Sequence, residues 1–376
     1  MKPALRPFRP VKPGEILQEE LDARDWTQAD LAEILGRPVQ AINEIITGKK
    51  AITPDTAVAL SQALGTSPEY WLNLESAYRL DLLHGRRSNG NDIARRSRLY
   101  TIAPVKELIK RKWIDVSNLS DLDRMEREIC RFLGISSLDE EPRIPFAARA
   151  THKEDSPSAA RIAWACRVKE VASRLRTKAF STQRLEEEIQ SLPRFSISDE
   201  GARSLRDILA GLGIRFVIVE HLPNTRIDGA ALWIDDRSPV VAVSLRYDRV
   251  DGFWFTLMHE LAHIIRGDAK PHTWMFDEAL VGKDAEPTES KSKPEAEADR
   301  LASEWLLPKQ ALEVFVRRTH PYFSRSAILN FAAEAGVHPG IVVGRLQHLS
   351  EVPWTHHRNL LSKIRHVFAG EEPLKG

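Results

Sequence analysis

The sequence predicts a mainly α-helical chain with one small β-sheet, an α+β architecture. Three observations carry this. A strongly patterned helical segment runs from Pro13 to about Leu83. Three short β-rich runs separated by turn residues lie between Ile214 and Leu245. Helical periodicity returns at Gly252–Ile265 and is expected to dominate to the end of the chain. A length of 376 residues accommodates two or three domains. The boundaries read as 1–85 for a compact helical bundle, 86–195 for a helical connector and 196–376 for a domain holding the sheet.

Composition narrows the setting. Apolar residues make up 42% and charged residues 28%, ordinary values for a globular protein. The net charge of +1 leaves any nucleic-acid-binding surface to be local rather than global. Cys130 and Cys166 form no CxxC pair, so neither a disulfide framework nor a thiolate metal site is expected. The basic start, MKPALRPFRPVKPGE, lacks a following apolar segment. No apolar run approaches the roughly 18 residues that span a bilayer. A cytoplasmic protein without a membrane partner is the expectation.

In the first segment Thr27 suits an N-cap, and Leu31, Ala32 and Leu35 share a helical face. Gly36 ends that helix, and Val39, Ile42 and Ile46 repeat along the next. Gly48 closes it, and Thr53-Pro54 opens a further helix over Asp55–Leu64. Two short helices around a glycine turn form a helix-turn-helix, whose second helix enters the DNA major groove. Gln40 and Asn43 are placed to read bases, being types that pair with adenine. Arg37 precedes them, Gln28 opens the first helix, and Lys49 and Lys50 are placed for phosphates. A lone unit of this kind reads a short half-site, so a homodimer on a palindromic operator is expected.

Residues Pro13–Leu80 resemble the HigA-type antitoxins of the XRE-like helix-turn-helix superfamily, through PGEIL, TQADLAEILG and GKKAITPDTAVALSQALGTSPEYWLNL. Val39 departs from the polar or basic residue usual there, so no sequence preference carries over. The resemblance implies a double-stranded operator and a possible cognate toxin.

In FTLMHELAHIIRGD, His259 and His263 stand at i and i+4 and stack on one helix face. Two imidazoles so placed take two corners of a tetrahedral zinc ion. Glu260, rotated by about 100°, is free to act as general base. A third ligand is expected downstream in KPEAEADRLASEWLLP, where Ala298, Leu301, Ala302 and Trp305 mark the buried face. Glu295 and Glu297 both flank that face, and periodicity does not choose between them. Asp268 and His272 are alternatives on the loop.

Residues Ile214–Gln347 resemble the ImmA/IrrE-type zinc metallopeptidases, through DGAALWIDDRSPVVAVSL, FWFTLMHELAHII, EAEADRLASEWLLP and HPGIVVGRLQ. The resemblance implies a zincin-like fold, a zinc cofactor and Glu297 as the third ligand, beside His259 and His263. It also implies Glu260 as base and hydrolysis of a peptide bond in the chain itself or in a partner repressor. The other reading is an antitoxin or repressor whose peptidase fold is a sensor or scaffold without turnover.

Overall fold

The computed structural model describes residues 11–85, 90–142, 158–270, 274–278, 280–282 and 291–369. The chain divides into two compact units, Met1–Ala94 and Arg95–Gly376. The candidate ligand His272 lies outside the described residues.

The first unit is a bundle of α1 (Pro13–Asp22), α2 (Gln28–Ile34), α3 (Val39–Ile46), α4 (Pro54–Leu64) and α5 (Pro68–Gly85). Local chemistry sets the ends. Thr27 and Asp30 form a reciprocal capping box at the start of α2. Thr53 caps α4 with Pro54 at its first position. Gly36 and Gly48 take φ of +60° and +73°, as the turns on either side of α3 require. Leu17, Leu21, Leu31, Ile42, Ile45, Leu60 and Trp71 fill the core. At about 1.5–3 kcal/mol for each large side chain, their burial holds five short helices together. One expectation shifts. Ile42 and Ile45 face the core, whereas Val39 is 48% exposed at the front of α3.

The second unit begins within α6 (Gly90–Ile102) and continues through α7 (Val105–Lys110), α8 (Leu122–Leu133) and α9 (Ala159–Arg174). After α10 (Thr182–Glu188) and α11 (Asp199–Leu212) come β1 (Arg215–Ile218), β2 (Ile227–Trp233) and β3 (Pro239–Val243). Then follow α12 (Val250–Arg266), β4 (Met275–Glu278), α13 (Lys293–Leu306), α14 (Lys309–Thr319), α15 (Arg325–Ala335) and α16 (Pro339–His348).

The sheet order is β1-β3-β2-β4, with β1 parallel to β3 and the other pairs antiparallel. β2 and β3 form a hairpin joined across Asp235–Ser238, where the Ser238 hydroxyl donates to Asp235 at 3.0 Å. The fourth strand was not expected, although helix dominates after Gly252 as the sequence predicts.

Alternation sends the two faces of the sheet into two cores. Val217, Ala230, Leu232, Val240 and Ala242 meet Leu99, Leu108, Ile129, Trp164 and Val168 from α6–α9. The Trp164 indole also donates to the Val219 carbonyl at 2.9 Å. The stretch expected as a connector therefore supplies one whole face of this unit. Phe216, Ala231, Val241 and Val243 meet α12, with Ile341, Val342 and Leu346 of α16 in the same core.

Candidate metal centre and nucleic-acid interface

The centre forms where α12, β4 and α13 meet. All but four of the 17 residues of α12 are buried, and His259, Glu260 and His263 are 0% exposed. Burying three ionisable side chains on one turn costs several kcal/mol each unless charge is compensated, so their surroundings carry the argument.

Each histidine has a carboxylate behind it. His263 Nδ1 lies 3.2 Å from Asp268 Oδ2, and His259 Nδ1 lies 2.9 Å from Asp299 Oδ1. With a carboxylate facing each Nδ1, both Nε2 atoms are turned inward. The two Nε2 atoms approach to 3.0 Å. Glu295 Oε2 lies 3.3 Å and 3.7 Å from the Nε2 atoms of His259 and His263. Asp277 Oδ2 lies 3.5 Å and 3.7 Å from the same two atoms.

A tetrahedral ion bound at about 2.0–2.2 Å spaces its ligand atoms about 3.3–3.5 Å apart. The observed separations bracket that value, and His259, His263, Asp277 and Glu295 form a buried group able to hold a metal ion. Five carboxylates, Glu260, Asp268, Asp277, Glu295 and Asp299, surround the histidines. Arg266 at 2.7 Å from Asp268 and Lys291 at 2.6 Å from Asp299 offset part of that charge. The excess of negative charge favours a cation.

The electrostatics agree. Burial disfavours a charged His259, but Asp277, Asp299 and Glu295 outweigh it and hold its pKa well above the ordinary value. His263 is raised too, against its burial, by Asp268 and Glu295. Glu295 is pulled far below the carboxylate range by the two histidines, despite its burial. Glu260 goes the other way: burial and then the charge of Asp277 push its pKa well up.

The arrangement corrects the third-ligand expectation. Glu297 is 37% exposed in its side chain and pairs with Arg300 at 2.7 Å and 2.9 Å. The reason is helical phase. The face of α13 turned inward carries Glu295, Ala298, Ala302 and Leu306. Glu297 stands about 200° around the helix from Glu295. Glu295 and Asp299, at i and i+4, face His259 together, and that spacing was a signal available beforehand.

Asp277 was missed because β4 was missed. The signal was weak: in Trp274–Asp277, Trp274 and Phe276 pack on one side of the sheet and Met275 on the other, a period-two alternation only four residues long.

Gly229 completes the geometry. In the β2–β4 register it stands opposite Asp277. A Cβ at Gly229 would lie 2.3 Å from Glu260 Oε1, so the Glu260 carboxylate occupies the space a side chain would take. An apolar pocket lined by Phe255, Leu280, Ser303, Leu306 and Arg345 shares helices α12 and α13 but includes none of the four ligand-type residues.

In the first unit Gln40, Asn43, Lys49 and Lys50 are all exposed, as expected. Gln28 is half-buried and accepts a hydrogen bond from Asn43 at 3.2 Å while donating to Gln18 at 3.2 Å. It thus orients Asn43. Gln40 donates to Glu44 at 3.2 Å. Arg37 is half-buried and donates to the Thr56 hydroxyl at 2.7 Å, which ties the turn to α4.

Comparison with known proteins separates along the same line. A helix-turn-helix family matches residues 17–71, and the IrrE N-terminal-like domain, a peptidase family, matches residues 212–347. The uncharacterised helix-turn-helix regulator YddM of Escherichia coli is 35% identical over 90 residues, 24% of this chain and 92% of that protein. The chain belongs to the helix-turn-helix transcriptional regulators, with HigA-like relatives, and carries an IrrE N-terminal-like domain. Antitoxin HigA-1 of Vibrio cholerae is 39% identical over 70 residues, 18% of this chain and 66% of that protein. A solved structure of Pseudomonas aeruginosa antitoxin HigA with the higBA promoter is 36% identical, covering 23% of this chain and 91% of that one, with a TM-score of 0.21.

Among the described residues no single helix is long and apolar enough to cross a membrane.

Proposed function

We propose that this chain is a DNA-binding regulator, antitoxin-like in its first unit, whose second unit is a zinc-dependent peptidase acting on itself or on a partner regulator. The observation that carries the enzymatic half is the convergence of two inward-turned Nε2 atoms and a buried carboxylate, Glu295, with Glu260 beside them. His259, His263 and Glu295 would hold the ion. Nitrogen and oxygen donors at tetrahedral spacing suit zinc. When bound, zinc polarises a carbonyl and brings the pKa of a water to about 7.

The protein supplies the rest. Asp268 and Asp299 keep both imidazoles in the ligating tautomer and fix their planes. Glu260 has the raised pKa of a buried carboxyl and serves as the proton acceptor, handing the proton to the departing amine. The absence of a side chain at Gly229 keeps that carboxylate in place.

The regulatory half rests on exposed Gln40 and Asn43 on α3, followed by exposed Lys49 and Lys50. The side chains of α3 meet base edges while the lysines meet phosphates. A homodimer on a palindromic operator matches two such helices to two half-sites.

Elemental analysis of the purified chain tests the centre. About one zinc per chain is expected, and its loss in His263→Ala. Stoichiometric zinc in that variant would sink the ligand assignment. For the reaction, the chain is incubated with zinc, alone and with the regulator encoded beside it, and the products are weighed by mass spectrometry. Cleavage by the wild type and none by Glu260→Gln, with zinc retained, is the expected pair of results.

A further inference from the structure

We propose that Asp277 is a fourth protein ligand that closes this metal centre. This deepens the zinc reading above and rests on it. A hydrolytic zinc site takes three protein ligands and leaves the fourth corner to water, whereas a site with four protein ligands is closed. Asp277 takes that corner.

Three observations carry the assignment. First, Asp277 approaches the inner nitrogens, not the outer ones. The outer positions are filled by Asp268 and Asp299, while Asp277 Oδ2 reaches both Nε2 atoms at 3.5 Å and 3.7 Å. These distances match those of Glu295, at 3.3 Å and 3.7 Å. Second, the position is fixed by strand register. Asp277 pairs with Gly229 of β2, and its side chain falls on the α12 side of the sheet, fully buried. Third, the strand is clamped just beyond. The Leu280 amide donates to Asp228 Oδ2 at 2.7 Å, and Asp228 is itself held by Arg246 at 2.7 Å.

β4 is the edge strand, laid antiparallel along β2. It occupies the sheet edge that an extended peptide would use for strand addition. The chain therefore supplies its own blocking strand, with a carboxylate where the attacking water belongs. Hydrolysis requires Asp277 to leave that corner.

The test loads the full-length chain with Co2+ in place of zinc and reads the visible absorption of the ion, with acetohydroxamate as the probe for an open corner. The wild type should show an intense four-coordinate spectrum that acetohydroxamate leaves unchanged. Asp277→Ala should keep one Co2+ per chain and shift to a five-coordinate spectrum as acetohydroxamate is added. A wild-type spectrum that titrates with acetohydroxamate as the variant does would overturn the proposal. Water-proton relaxation of the Co2+ wild type decides independently of whether the variant folds: no inner-sphere water supports a closed centre, and one such water overturns it. A wild type that binds no Co2+ or zinc at all removes the metal centre itself, an outcome distinct from an ion bound with an open corner.

Discussion

The two units of this chain carry their candidate functional residues in opposite ways. On the first, Gln40, Asn43, Lys49 and Lys50 are exposed and make few commitments to the fold. In the second, His259, Glu260, His263 and Asp277 are 0% exposed, and helix packing and strand register set their positions. On the proposed reading, the first site meets its ligand by presenting side chains. The second works by trapping charged groups that no solvent relieves. Substitutions should therefore behave differently: local and modest on α3, large and coupled around α12.

The largest effect should fall on Glu295, and its contrast with Glu297 sharpens the comparison. Glu295→Ala removes a buried ligand and should weaken zinc binding by more than about 100-fold, above the range usual for changes behind a ligand. Glu297→Ala removes the partner of Arg300 and a longer pairing with Arg266 at 3.9 Å, both away from the inner nitrogens, and should leave zinc binding unchanged. Competition with a chromophoric chelator measures both. The reverse ranking would mean that α13 turns its other face to the histidines.

Gly229→Ala comes next. The new Cβ would meet Glu260 Oε1 and Thr256 Cγ2 at 2.3 Å and 2.6 Å, so the base must move. A stability loss of about 1–3 kcal/mol is expected from overpacking, with loss of any cleavage and retention of zinc. Denaturant unfolding and elemental analysis check the two halves. An unperturbed variant with full cleavage would show that the strand and Glu260 are not so tightly fitted.

The pH behaviour of the metal-free protein follows from the same trapped charges. His259 and His263 are raised above the ordinary value of 6.5, by carboxylates that outweigh their burial. Their contribution to stability is fully present below about 6.5 and is lost as pH rises through the raised values. Glu295 and Asp299 are lowered, the histidines outweighing burial. Their contribution is present above the ordinary carboxylate range and lost as pH falls. The metal-free protein should thus be most stable in the mildly acidic to neutral window between. Zinc binding at pH 7 should release protons, since it takes the imidazoles unprotonated. Calorimetry in buffers of different ionisation enthalpy reads that release, and a buffer-independent heat would contradict it.

The comparison also explains what was legible in the sequence. Caps and turns are local chemistry, so Thr27, Gly36, Gly48 and Thr53 marked the first bundle to within a residue or two. The HExxH helix was legible because the i, i+4 spacing of His259 and His263 is a property of one helix. What failed were long-range facts. Which acid of Glu295 and Glu297 faces α12 depends on how α13 is rotated against it, which flanking periodicity leaves open. Asp277 depends on a four-residue strand whose pairing with β2 is set by tertiary contacts, beyond any propensity of its own. Val39 failed in a different manner. It fits a buried face by spacing, yet the fold turns Ile45 inward in its place and leaves Val39 exposed.

On the exposed side effects should be smaller and should divide by residue type. Gln40→Ala should cost about 1–3 kcal/mol on the specific operator and little on random DNA, because it removes a base contact. Gel-shift titrations with the two DNAs separate these outcomes, and equal losses on both would make Gln40 a backbone contact instead.

The smallest effect at working salt, and the most diagnostic, belongs to Lys49 and Lys50. Both are exposed just beyond α3, and in the described residues neither forms an ion pair with the protein. A lysine that neutralises one phosphate releases counterions, so each contributes about 0.9 to the slope of log affinity against log salt. Replacing both by alanine should reduce that slope by about 2 while leaving the ratio of specific to random binding unchanged. Fluorescence anisotropy across a salt series measures slope and ratio together. A changed ratio with the slope intact would place these lysines at base edges. An unchanged slope and ratio would place them off the DNA, and the exposed surface of the first unit would then serve a protein contact, no longer the counterpart of the buried centre in the second.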